Sequence, residues 1–211
     1  MPITNQEGIN AMMRGVNNGA EQLNQMLTTK SKAMCDQMGA MWNCPQATSF
    51  ASEFKEKMDM MVRNFSDNMN AFQSNLTTNV NNYNQLNDST MMVPTVSYNL
   101  ANIDNSGIKT NFANGDQGFA KDADIESVTS IYDSAISDMG SQITNIQNTI
   151  STSGAFDADE SSAVAGMYQK AGKILSDSNV ELSESLKSYL NDTKEKYSQT
   201  QSTNIENANA A

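Results

Sequence analysis

The chain has 211 residues, 38% of them apolar and 18% charged, with no histidine and a formal net charge of -11. That balance suits a buried core and not a membrane protein, removes the side chain most used as general base and metal ligand near neutral pH, and repels phosphate backbones, which disfavours nucleic acid as a partner. Cys35 and Cys44 are too few for a four-ligand zinc site or a disulfide scaffold, and residues 1–7 carry neither the basic patch nor the apolar run of a secretory signal.

The first apolar stripe runs Ile9, Met12, Val16, Ala20, Leu23, Leu27, Met34, Met38 and Met41, and its three-and-four spacing predicts a helix over residues 5–41. Gly8, Gly15, Gly19 and Gly39 lie inside it, each costing about 1 kcal/mol against alanine, so packing must hold the helix and close helix approach is the reading of the glycines. After a turn at Trp42-Asn43-Cys44, Pro45 suits the first position of a second helix, capped by Asn43 or Cys44. Its stripe is Ala47, Phe50, Phe54, Met58, Met61, Phe65, Met69, Phe72, Leu76, Val80 and Tyr83, and it ends near residues 83–86.

Residues 87–121 hold Pro94 and three glycines, keep no lasting period, and read as a linker with a short strand at 93–100. A third helix over 122–150 carries Ile125, Val128, Tyr132, Ile136, Met139, Ile143, Ile146 and Ile150. Asp157 and Glu160 predict the capped start of a fourth, with Val164, Tyr168, Ala171, Leu175, Leu182, Leu186, Tyr189 and Thr193 on its apolar face, and residues 201–211 read as a flexible tail.

Aligning Trp42 with Phe156 pairs Cys44 with Ala158, Phe50 with Val164 and Phe54 with Tyr168, so the plan repeats with an aromatic residue at each helical turn. The expected fold is all-α: two long hairpins, residues 1–86 and 122–200, burying each other's stripes as a four-helix bundle. Antiparallel hairpins require the linker to travel about 50 Å back along helices of some 35 residues. Roughly fifteen extended residues span that distance, and the linker has them.

Chemistry-bearing motifs are absent. Residues 102–107 match the opening of a calcium loop, but its twelfth position is Ala113 where a bidentate acid is needed, and turn chemistry explains the segment. Asp157, Asp159 and Glu160 read as helix capping, not a catalytic cluster, and Cys35 and Cys44 as buried thiols. The 15 methionines read as core filling, with an adaptable binding groove as the alternative. No catalytic residue, cofactor or metal is expected. Trp42 has two compatible readings: an exposed docking anchor, whose loss spares folding, or a ring that seals the bundle end.

A helix of about forty residues, a turn bearing Trp-x-Gly and a second such helix resembles the WXG-motif, early-secreted-antigen-like substrates of type VII secretion. Trp42-Asn43-Cys44 is similar to that turn, with Cys44 in place of glycine, and Phe50 stands eight residues on, where the family often has an aromatic. The likeness covers residues 5–86, and Phe156-Asp157-Ala158 replaces the motif in the second half. It implies a non-enzymatic protein exported without a cleaved signal peptide. Its partners would be proteins: the secretion machinery and a co-secreted protein, through contacts at Trp42, Cys44, Phe50 and Phe156. The usual hairpin dimer would here be fused into one monomeric chain. The family's tail signal, a tyrosine with an acid four residues later, is not met, since Tyr189 is followed by Thr193 and Tyr197 by Gln201; Asp192 stands one place early, leaving Tyr189, Asp192 and Tyr197 as the candidate export tail. An intracellular adaptor or chaperone that masks a partner's apolar helices, and a structural component of a surface assembly, are the alternatives.

Overall fold

A computed structural model describes residues 5–96, 118–120 and 124–210. The chain is an all-α bundle of four long helices, α1 (Gln6–Met41), α2 (Pro45–Asn87), α3 (Ile125–Thr152) and α4 (Ala158–Asn209). The candidate calcium loop at 102–107 with Ala113, and the end of the segment expected as a strand at 93–100, lie outside the described residues; residues 93–96 form no strand.

Side chains start three of the helices. Asn5 accepts from the Gly8 N–H, Asp124 from that of Ser127 and Asp157 from that of Glu160, each satisfying a donor that the first helical turn leaves free. Helix α2 opens on Pro45 with Cys44 as its cap, and the Cys44 thiol makes no capping bond. Glu160 does not reach back to complete a capping box: its carboxylate accepts from the Tyr83 hydroxyl, tying α4 to the end of α2. Asp88, left-handed at φ 49°, ends α2.

The stripes face one core. Every residue of the first is buried, and of the third only Ile136 is partly exposed. Phe54 meets Tyr132 edge-on at 5.8 Å and Phe72 meets Tyr168 edge-on at 5.8 Å, so α2 reaches both helices of the second half. Each buried large apolar side chain contributes about 1.5–3 kcal/mol, and this burial holds helices whose glycines and polar residues give poor intrinsic helicity.

Helix α1 lies closest to α3, α3 to α4 and α4 to α2. The approach of α1 to α3 explains Gly15 and Gly19, where an added Cβ would run into the side chains of Thr149 and Ile146. The Asn5 N–H donates to Ala155 O, so the turn between α3 and α4 sits at the start of α1. The turn between α1 and α2 lies beside Tyr189, and the 36 residues of α1 separate the two turns by about 54 Å. Residues 91–96 cross the face between α1 and α2, and the connection returns to the first turn at residues 118–120. There β1 (Trp42–Asn43) pairs antiparallel with β2 (Gly118–Phe119), Trp42 opposite Phe119.

Two expectations need correction. Helix α4 continues to Asn209 where a flexible tail from 201 was expected, because nothing from Asp157 to Asn209 breaks its hydrogen-bond ladder. Tyr189 is not on the buried seam of α4; it is 40% exposed, and Leu190, fully buried, takes that place after Leu182 and Leu186.

Gly8 offers a sharp test of this packing. A Cβ there would lie 2.6 Å from the Ala155 nitrogen and 2.7 Å from the Gly154 carbonyl carbon, backbone that has no rotamer to yield. Gly8→Ala is expected to destabilise by about 1–3 kcal/mol despite alanine's helical advantage of about 1 kcal/mol. Gly140→Ala, with nothing within 4 Å of its new methyl, is expected to stabilise, and urea unfolding of the two variants measures the difference in sign.

Candidate functional site: the aromatic end of the bundle

The turn that follows Met41 leaves the helix at Trp42, whose backbone is extended while its N–H still bonds Met38 O. The strand pair with Phe119 and the Ala120 N–H donated to Met41 O hold that geometry. Trp42 is 1% exposed. Its ring meets Phe50 at 5.9 Å, Phe119 at 6.0 Å and Tyr189 at 5.5 Å; Tyr189 stacks on Phe50 at 4.7 Å, and Tyr197 meets Phe119 at 6.0 Å. The exposed-anchor reading of Trp42 is thus corrected: the ring seals the bundle end, because α4 and residues 118–120 both fold over it.

Among the described residues the buried Trp42 Nε1–H has no acceptor, a cost of about 1–3 kcal/mol. Cys44 is also buried, and Tyr197 covers it. Burial, then the hydrogen bond and charge of the Cys44 sulfur, push the Tyr197 phenol up to about 12. Cys35 is buried as well, and neither cysteine is in a disulfide.

Beyond Leu190 the fourth helix outruns its neighbours, and between it and the Trp42 turn lies an open groove of about 860 Å³. Tyr189, Asp192, Lys196, Tyr197 and Ile205 line it, with Trp42 at its floor. Tyr197 is 39% and Ile205 54% exposed, apolar surface on the polar run of α4 that follows Leu190. Six of the residues singled out from the sequence, Trp42, Cys44, Phe50, Tyr189, Asp192 and Tyr197, therefore belong to one end of the molecule. The seventh, Phe156, lies at the other end, buried beside Tyr83 at 6.4 Å. Phe119, Lys196 and Ile205 were not foreseen. A two-residue strand pairing from distant sequence leaves no periodic signal, and Ile205 is a single apolar residue in a polar run.

Away from this end, a polar cluster joins two of the helices. Ser183 donates to Asp133 at 2.6 Å and Lys187 pairs with its other oxygen at 2.5 Å, joining α3 to α4. Burial opposes ionisation of Asp133, but the hydrogen bonds from Lys187 and Ser183 and the Lys187 charge outweigh it and hold the carboxyl below its usual range. Among the described residues no group of three or more Cys, Asp or Glu is placed to hold a metal ion, and no helix is long and apolar enough to cross a membrane.

Compared with known proteins, the chain matches no family model, no curated protein and no solved structure.

Proposed function

We propose that this protein is a non-enzymatic secreted helical protein, a substrate or co-secreted partner of a type VII secretion system, acting through protein–protein contacts at the Trp42 end of the bundle. The observation that supports this most is the meeting of Trp42 with Tyr189 and of Phe119 with Tyr197 around an open groove, which makes the turn motif and the candidate tail one surface. On this reading the chain acts as a monomer, its two hairpins standing in for the two subunits of the family's dimer, and leaves the cell without a cleaved signal peptide. Recognition rests on the exposed rim, Tyr189, Asp192, Tyr197 and Ile205, while Trp42 and Phe50 hold the shape beneath it.

Ile205→Asp and Tyr197→Ala change exposed side chains and are expected to leave the helical content unchanged. In culture fractionation of the native host, with a cytosolic lysis marker, secretion of these variants should fall at least about tenfold, the effect of removing a central interface contact of 1.4 kcal/mol or more. Undiminished secretion of the folded double variant contradicts the proposal. The second reading is an intracellular adaptor that lays a partner's apolar helix along the same groove, favoured by the exposed Ile205 and Tyr197. Wild-type protein confined to the cytosol would select it.

A further inference from the structure

Three carboxamide side chains hold the connection that leaves α2, and each does so at the main chain. Asn84 accepts from the Met91 N–H at 2.9 Å and donates to the Met91 carbonyl at 2.7 Å. Gln6, across on α1, accepts from the Met92 N–H at 2.7 Å and donates to the Met92 carbonyl at 2.8 Å. Gln73 accepts from the Val96 N–H at 3.2 Å and donates to the Pro94 carbonyl at 3.3 Å. These side chains give the main chain of Met91, Met92, Pro94 and Val96 the donors and acceptors that a neighbouring strand would give, outside any sheet. Met91, Val93 and Val96 pack against the core, whereas Met92, Pro94 and Thr95 face water.

The seat therefore recognises extended backbone plus a few apolar side chains, and the segment does not fill it. A cavity of about 500 Å³ remains between residues 94–96 and Asn10, Met13 and Arg14 of α1. We propose that the face between α1 and α2 is a binding site for an extended segment of a partner protein, with apolar residues and proline in the pattern of residues 91–96, which occupy it as a resident ligand in cis. Neutral hydrogen bonds of this kind contribute about 1 kcal/mol each, and what keeps the resident in place is its tether, which gives it a local concentration on the millimolar scale. The site lies on a different face from the Trp42 groove and does not depend on the route of export.

The test uses the full chain carrying Met91→Ser, Val93→Ser and Val96→Ser, which weakens the resident, and a fluorescent synthetic peptide of residues 88–97. By anisotropy, the folded triple variant should bind the peptide at least about tenfold more tightly than wild type, since the tethered competitor is disabled. Adding Gln6→Ala and Gln73→Ala should remove that gain. A folded triple variant that binds no better than wild type, or a gain that survives loss of both glutamines, overturns the proposal. Should the triple variant fail to fold, hydrogen exchange of the wild-type protein decides: the Met92 and Val96 amides should exchange through local opening, well ahead of amides in mid-α1 and mid-α2. Exchange of those two amides only with global unfolding overturns it.

Discussion

Phe65→Asp will abolish the cooperative fold of the entire chain, not that of the first hairpin alone. Phe65 is 1% exposed on the stripe of α2, between Phe54, which packs on Tyr132 of α3, and Phe72, which packs on Tyr168 of α4. A carboxylate placed there meets an apolar seam. An unpaired buried charge costs about 3–5 kcal/mol or more, a large part of the 5–15 kcal/mol by which a domain is stable. Because the seam joins α2 to both α3 and α4, the loss propagates across the chain. Far-UV circular dichroism and hydrogen exchange should both report collapse of all four helices. Phe65→Leu, which keeps the site apolar, should cost about 1.5 kcal/mol or less and retain a cooperative melt.

Trp42→Ala is the second large effect. The ring is 1% exposed and touches Phe50, Phe119 and Tyr189, and truncating such a side chain typically costs about 3–5 kcal/mol. Part of this is returned because the indole N–H, which has no acceptor among the described residues, is removed with it. The expected net loss is about 2–4 kcal/mol, read as a lower urea midpoint with an unchanged slope. A folded Trp42→Ala protein as stable as wild type would show that the ring packs against nothing. The same burial governs how export experiments are interpreted: loss of secretion in Trp42→Ala would follow from instability alone, so the exposed Tyr197 and Ile205 carry the docking test.

The helices were legible because their stripes obey one period. Ile9 through Met41 and Phe54 through Val80 each lie on a single face, and Pro45 and Asp157 carry local start signals that tertiary contacts did not override, whereas the Asp124 cap of α3 was not singled out. The close approach implied by the glycines was legible too, at Gly8, Gly15 and Gly19, because a residue costly to a helix needs a packing reason. What escaped the sequence is what distant segments decide. Whether Trp42 faces water depends on Phe119 and Tyr189, which are separated from it by more than seventy residues. Tyr189 and Leu190 are neighbours near the end of a stripe, and the packing of α4 on α3 and α2 decides which one is buried. The polar C-terminal run of α4 lacks an apolar period, so its helical course to Asn209 had no signal beyond the absence of a breaker.

Trp42 is the one tryptophan of the chain, and its fluorescence measures directly whether the second half of the molecule closes over the first. The ring follows α1, and part of its cover, Tyr189, comes from α4. Acrylamide quenching of the native protein should be slow, with a blue-shifted emission, and Tyr189→Ala should quicken quenching while leaving the helical signal in place. Rapid quenching and red-shifted emission in the folded wild-type protein would contradict a bundle in which the four helices share one core.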